Sequence, residues 1–156
     1  MLRDVDVLVV DLQDVGTRVY TYVYTMANCM RAAARHGVHV IVCDRPNPVG
    51  GDDVEGSLLQ APYTSFVGQF PIPLRHGMTI GELARLFNDE FSVGAAVDVI
   101  QLEGWTRSMY FDETGLPWII PSPTCRPSRA RSSIRGPCSS RERSCLKGAV
   151  RHGRSN

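Results

Sequence analysis

The sequence predicts an α/β fold with a mostly parallel sheet flanked by helices, and three observations carry that expectation. Short β-branched runs alternate with longer amphipathic stretches in the order strand, helix, strand, helix, strand over residues 5–102. The stretches between the runs are long enough for crossovers and too long for hairpins, which makes neighbouring strands parallel and the connections right-handed. Polar and acidic residues recur where the first two runs stop, at Asp11 and Asp44. Alternating strands and helices make a layered sheet the economical architecture, and ligands of such sheets bind beyond the carboxyl ends of the strands.

Taken in order, Val5 to Leu12 reads as a buried strand ending near Asp11, followed by a polar turn, Gln13-Asp14-Val15-Gly16. From Thr17 the period changes. Val19, Tyr22, Val23, Met26, Ala27, Met30, Ala33 and Ala34 fall at helical spacing and Gly37 supplies a stop, so a helix is predicted over 18–36. Val38 to Cys43 gives a second buried strand, and the segment 44–77 is a long connection rich in Pro and Gly. Connections of that length are uncommon unless functional. Thr79 and Glu82 then form a capping box, with Met78 and Leu83 placed as a hydrophobic staple, opening a helix that runs to about Phe91. Val97 to Leu102 alternates as a third strand.

Charge is unevenly spread. Of the 17 Lys and Arg residues, 9 follow Pro123, where Glu142 is the only acid, so residues 1–123 carry a net −7 and residues 124–156 a net +8. The last segment has no aromatic residue and too few apolar positions to bury surface against its ordering entropy, so a disordered tail is predicted. Cys125, Cys138 and Cys145 match no metal or redox spacing, and Cys29 and Cys43 read as buried small hydrophobes. No apolar run reaches the ~18 residues of a membrane span, and the opening residues are not a signal peptide. A phosphate-binding or dinucleotide-binding glycine loop is missing, as is any metal spacing among His36, His39, His76 and the acids, so no cofactor and no metal is expected.

The polar residues worth naming are Asp11, Asp14, Arg18, Asp44, Arg45, Asn47, Asp52, Asp53, Glu55, Arg75 and His76. Glycoside cleavage needs two carboxyl groups facing one bond, one protonated and one ionised, and the chain offers enough carboxylates, as would any acidic loop. Structural roles compete for each: Asp11 and Asp14 suit a helix cap or a turn tie, Asp52 and Asp53 a solvated loop tip. Arg45 equally suits an ion pair at the sheet edge, and His76 a hydrogen-bonding strut.

In sequence order, the segments Asp11 to Tyr22, Asp44 to Gly51, Val54 to Gly56, Phe66 to Gly68, Pro71 to Thr79 and Gly115 to Trp118 resemble the NamZ-type exo-β-N-acetylmuramidases. The resemblance covers residues 4–123 nearly continuously. It implies a Rossmann-like catalytic domain facing a second, smaller domain, and release of N-acetylmuramic acid from peptidoglycan fragments in a secreted or periplasmic bacterial setting. On that basis Glu55 is the first choice for a catalytic carboxyl and Asp11 and Asp14 the second. Arg45, Arg75 and His76 would suit the lactyl carboxylate of muramic acid, because a guanidinium fork matches a carboxylate. Asp44 and Asn47 would bond sugar hydroxyls. The partner implied is a peptidoglycan-derived sugar, with no nucleic acid and no membrane; stereochemistry and oligomeric state stay open.

Two departures qualify the resemblance. Family members carry an upstream Pro-Glu-His-Gly motif, and they continue past Pro-Ser-Pro into Asn-Met-Pro-Thr-Leu and later Leu-Ser-Glu-Gly-Arg-Gly-Thr; none of these is in this chain. Residues Thr124 to Ser128 and Ser144 to Arg151 can be encoded so that one common shift of phase restores both of the later motifs. The expectation is therefore a partial Rossmann-like domain over 1–123, followed by an out-of-frame, non-native tail over 124–156, with the fragment inactive in isolation. A carbohydrate-binding module without hydrolysis is the alternative. A basic nucleic-acid arm is a third reading, marked by steeply salt-dependent DNA binding that is lost on deleting the tail.

Overall fold

The structure, a computed structural model, describes residues 2–119 and 121. Strands β1 (Val7–Val10), β2 (His39–Cys43) and β3 (Val97–Ile100) form a parallel sheet in the order β1-β2-β3. Helix α1 (Tyr22–His36) connects the first pair and α2 (Ile80–Asp89) the second. Two right-handed crossovers that step in the same direction place both helices on one face of the sheet. The fold is thus the α/β arrangement that the alternation predicts. The expectation for residues 124–156 lies outside the described residues.

Register fixes which side chains meet the helices. Leu8 pairs with Val40, Val10 with Val42, and Val42 with Val99, and these positions point towards α1 and α2. Met26, Met30, Ile80, Leu83 and Phe87 are completely covered on the helical side. Burying a side chain of that kind contributes roughly 1.5–3 kcal/mol. Phe70, from the long connection, closes this core by stacking 4.2 Å from Phe87 and 4.9 Å from Phe91, with the Arg31 guanidinium 5.0 Å above its ring.

The opposite face of the sheet departs from expectation. Val7, Val9 and Ile100 are 45%, 58% and 59% exposed, so β1 is not a strand buried on both sides. Its continuous apolar run is the pattern of a parallel strand covered on two faces, and among the described residues only one face is covered. The third strand also stops two residues short of Leu102.

Helix α1 begins four residues later than the periodicity suggests. Thr17 is held in a bridge to Arg75, and Arg18 enters a turn with its N–H donated to the Leu74 carbonyl at 2.8 Å, so neither starts the helix. Its end is as predicted: Gly37 adopts φ 67°, and the Val38 N–H returns to the Ala33 carbonyl at 3.0 Å. The capping box of α2 is present, Thr79 Oγ1 accepting the Glu82 N–H at 3.2 Å and Glu82 accepting the Thr79 N–H at 3.0 Å. This helix ends at Asp89 instead of Phe91, because Ser92 takes a left-handed φ of 55° and Phe91 turns in to stack on Phe70.

The connection between β2 and α2 holds only a single 3-10 turn, Ala61–Tyr63, and is fastened by side chains that reach its carbonyls. Arg18 donates to Ser57 and Ile72, Arg75 to Val49, Arg107 to Gly77, and Asn47 to Met78, at 2.5 to 3.0 Å. These bonds satisfy backbone groups that a helix or sheet would otherwise pair. No helix among the described residues is long and apolar enough to cross a membrane.

Candidate functional site

At the carboxyl ends of β1 and β2, Arg45 grips Asp11 at two points: Nε to Oδ1 at 2.5 Å and Nη2 to Oδ2 at 2.9 Å. The hydrogen-bonded guanidinium holds the Asp11 carboxyl below its ordinary pKa, and Asp11 in turn raises that of Arg45. The pair lies on the rim of a crevice of about 250 Å³, whose walls include Gln13, Tyr22, Phe111 and Pro117. Tyr22 keeps the far wall in place by donating its hydroxyl to the Pro121 carbonyl at 2.5 Å.

Asp14, His76 and Asn47 are turned inward. His76 Nε2 lies 3.1 Å from Asp14 Oδ2, and the side chains are 0% and 4% exposed. Nδ1 accepts the Met78 N–H at 3.2 Å, which assigns the ring proton to Nε2 and directs it at Asp14. Asp14 also accepts the Gly16 N–H at 2.8 Å, tying down the turn after β1. Asn47, 1% exposed, spans Met78 and the Val49 N–H. Seated in this way, His76 and Asn47 work as struts between the first turn and the 74–78 segment.

Asp44 is likewise engaged, accepting from Thr79 Oγ1 at 3.0 Å, the Gly81 N–H at 2.7 Å and the Arg45 N–H at 3.0 Å. It ties the end of β2 to the start of α2. Glu55 and Arg75 form a third group. Their backbones pair in both directions, at 2.9 and 3.0 Å, and Arg75 Nη1 stands 3.0 Å from Asp53 and 3.6 Å from Glu55. The Glu55 side chain is 68% exposed and lines neither crevice. The eight residues given catalytic or sugar-binding roles from sequence therefore resolve into separate clusters: Asp11 with Arg45, Asp14 with His76 and Asn47 inside, Asp44 at α2, and Glu55 with Arg75.

A second crevice, about 370 Å³, opens beyond β2 and β3, and the sequence reading missed it. Its walls include Gln101, Trp105, Arg107 and Arg85. Arg107 donates to the Gly77 carbonyl and to Glu82. Trp105 has a buried indole N–H with no partner among the described residues. Gln101 and Trp105 sit just past the end of β3, so the rule that selected residues after the first two strands would have found them; Arg85, in the second turn of α2, carried no such signal. The turn leading to Glu55 packs here too, since a methyl group at Gly51 would meet the Trp105 ring and the Arg107 stem at 3.1 Å. Among the described residues no group of three or more His, Cys, Asp or Glu is placed to hold a metal ion.

Comparison with known proteins gives concordant results. The profile of a family described as exo-beta-N-acetylmuramidase NamZ, N-terminal, matches residues 1–129. A Bacillus subtilis protein, peptidoglycan beta-N-acetylmuramidase NamZ, is 58% identical over 123 residues, which are 79% of this chain and 30% of the relative. Two crystal structures of DUF1343 family proteins from Bacteroides fragilis superpose with TM-scores of 0.77 and 0.64, at 48% and 43% identity. The first match covers 80% of this chain and 33% of that one, the second 68% and 31%. The chain thus spans about a third of the length of the proteins it matches.

Proposed function

The chain belongs to the NamZ N-terminal family, and from that premise we propose that it is part of an exo-β-N-acetylmuramidase, an enzyme that removes terminal N-acetylmuramic acid from peptidoglycan fragments. The observation that carries the reading is the 58% identity to the Bacillus subtilis peptidoglycan beta-N-acetylmuramidase over 123 residues. Without the rest of the polypeptide this portion binds sugar and does not hydrolyse it. A peptidoglycan substrate supports a secreted or periplasmic setting for the work.

Within this reading Glu55 is the catalytic carboxyl. Its support is position: the group is exposed on a turn beside Arg75, whereas Asp14 is enclosed and Asp11 is held by Arg45. Asp11 and Arg45 line a sugar-facing crevice, while Asp14, Asn47 and His76 keep the connection in shape. The partial domain ends at 123, and residues 124–156 are an out-of-frame translation; sequencing the gene tests this, an uninterrupted frame with no in-phase continuation being the contrary result.

The activity is tested by placing residues 1–123 in the corresponding part of the Bacillus subtilis relative and supplying a chromogenic N-acetylmuramic acid glycoside. The chimera is expected to release the chromophore, the chain alone to release none. Glu55→Gln in the chimera should lower kcat by roughly 10²–10⁴-fold, the range of a positioned acid or base. Full activity of that variant removes Glu55 from the chemistry, and a folded but inert chimera removes the enzymatic reading.

A further inference from the structure

We propose that the crevice beyond β2 and β3 is a subsite for an acidic pyranoside, and that Arg85 is the residue that takes its carboxylate. The inference rests on the muramidase reading for the identity of the sugar, but the site is argued from its own groups.

Every other guanidinium near the strand ends is already committed. Arg45 is closed on Asp11, Arg75 on Asp53 and the Val49 carbonyl, Arg18 on two carbonyls, and Arg107 on Glu82 and the Gly77 carbonyl. The carboxylates of the crevice are spent as well: Asp44 on Thr79 and Gly81, Glu82 on Thr79 and Arg107. Arg85 lines the same crevice and makes no hydrogen bond or ion pair with any described residue. It is exposed and on a rigid helix, so its planar fork is available for two-point capture of a carboxylate.

The opposite wall supplies what a sugar ring requires. Trp105 offers an aromatic surface on which a sugar ring can stack. Gln101 and Thr106 add short-range polar contacts for ring hydroxyls, and about 370 Å³ admits one monosaccharide with its substituents. A ligand here would lie beside the turn that carries Glu55, because that turn packs on Trp105 and Arg107 through Gly51.

Recognition is tested on the full chain by titrating two probes, N-acetylmuramic acid and N-acetylglucosamine, which differ in the lactyl carboxylate. Binding is followed by calorimetry and by the amide and indole N–H resonances. The parent should bind the acidic sugar more tightly and shift the Trp105 indole signal. Arg85→Gln should weaken that sugar about tenfold and leave the neutral one unchanged, with Arg85→Lys in between. If the acidic preference survives Arg85→Gln and disappears in Arg45→Gln, the assignment of Arg85 is overturned while the muramidase reading stands. If neither sugar moves the Trp105 signal, the subsite itself is overturned. Failure of the chimera to hydrolyse its glycoside is a separate result that bears on the enzymatic reading alone.

Discussion

Substituting His76 asks whether an interior polar pair, rather than apolar packing, anchors the 74–78 segment. Both ring nitrogens are engaged, Nε2 with Asp14 at 3.1 Å and Nδ1 with the Met78 N–H at 3.2 Å. His76→Ala leaves the Asp14 carboxylate enclosed with the Gly16 N–H as its remaining donor, since Asp14 Oδ1 already has no partner among the described residues. Taking the imidazole N–H away from the enclosed Asp14 carboxylate costs about 2–3 kcal/mol, and the orphaned Met78 amide adds about 1–3 kcal/mol. Water entering the space offsets part of this, so the expected loss is roughly 3 kcal/mol, a large share of the 5–15 kcal/mol that stabilises an ordinary domain.

Two near-isosteres separate the two bonds. The amide nitrogen of Gln can stand where Nε2 stood, and the carbonyl oxygen of Asn where Nδ1 stood. His76→Gln keeps the contact with Asp14 and should lose about 1–2 kcal/mol, whereas His76→Asn keeps the Met78 acceptor and should lose about 2–3 kcal/mol. Urea denaturation of the full chain, followed through Trp105 and Trp118 fluorescence, measures all three. Equal losses for Gln and Asn, or a cost for Ala below about 1 kcal/mol, would show that the pair does not anchor the segment.

Two further predictions follow from single positions. Gly16 adopts φ 83°, and a Cβ there would meet Val49 Cγ2 at 2.4 Å and Asn47 Oδ1 at 2.5 Å. Gly16→Ala is therefore expected to cost at least about 2 kcal/mol through strain and displacement of the Asn47 strut, and an unchanged urea midpoint would contradict that. Burial pushes the Tyr24 hydroxyl up to about 12 from an ordinary 10.0. The unfolded chain then loses this proton first, so stability is intact below pH 10 and falls as pH rises towards 12, by roughly 2–3 kcal/mol in all. Tyr24→Phe should flatten that alkaline slope in urea midpoints measured between pH 8 and 11.5; parallel slopes for the two proteins would exclude the assignment.

Local signals were legible in the sequence where the physics is local. The Thr79–Glu82 capping box and the Gly37 stop depend on residues a few positions apart, and both are present. The parallel order of the strands also follows from crossover length. The start of α1 was not legible, because Thr17 and the turn at Arg18 are tied to the 74–75 backbone, nearly sixty residues downstream. Nor was the division of the polar residues: Asp14 and Glu55 look alike as loop acids, and only tertiary placement puts one beneath His76 and the other in solvent. Arg85 carried no signal in the sequence, because a helical arginine stands out only once its neighbours are seen to be occupied.

The fastening of the long connection by guanidinium groups has a practical corollary for handling the protein. All eight basic side chains of residues 1–123, setting histidine aside, are arginine, and the single lysine of the sequence is Lys147. Amine-directed dyes, biotin esters and cross-linkers thus find one side chain, Lys147, and leave the fasteners at Arg18, Arg75 and Arg107 unmodified. Dicarbonyl reagents act in reverse: by blocking the forked donors they prise the connection from its anchors, so graded arginine modification reads out which tie yields first.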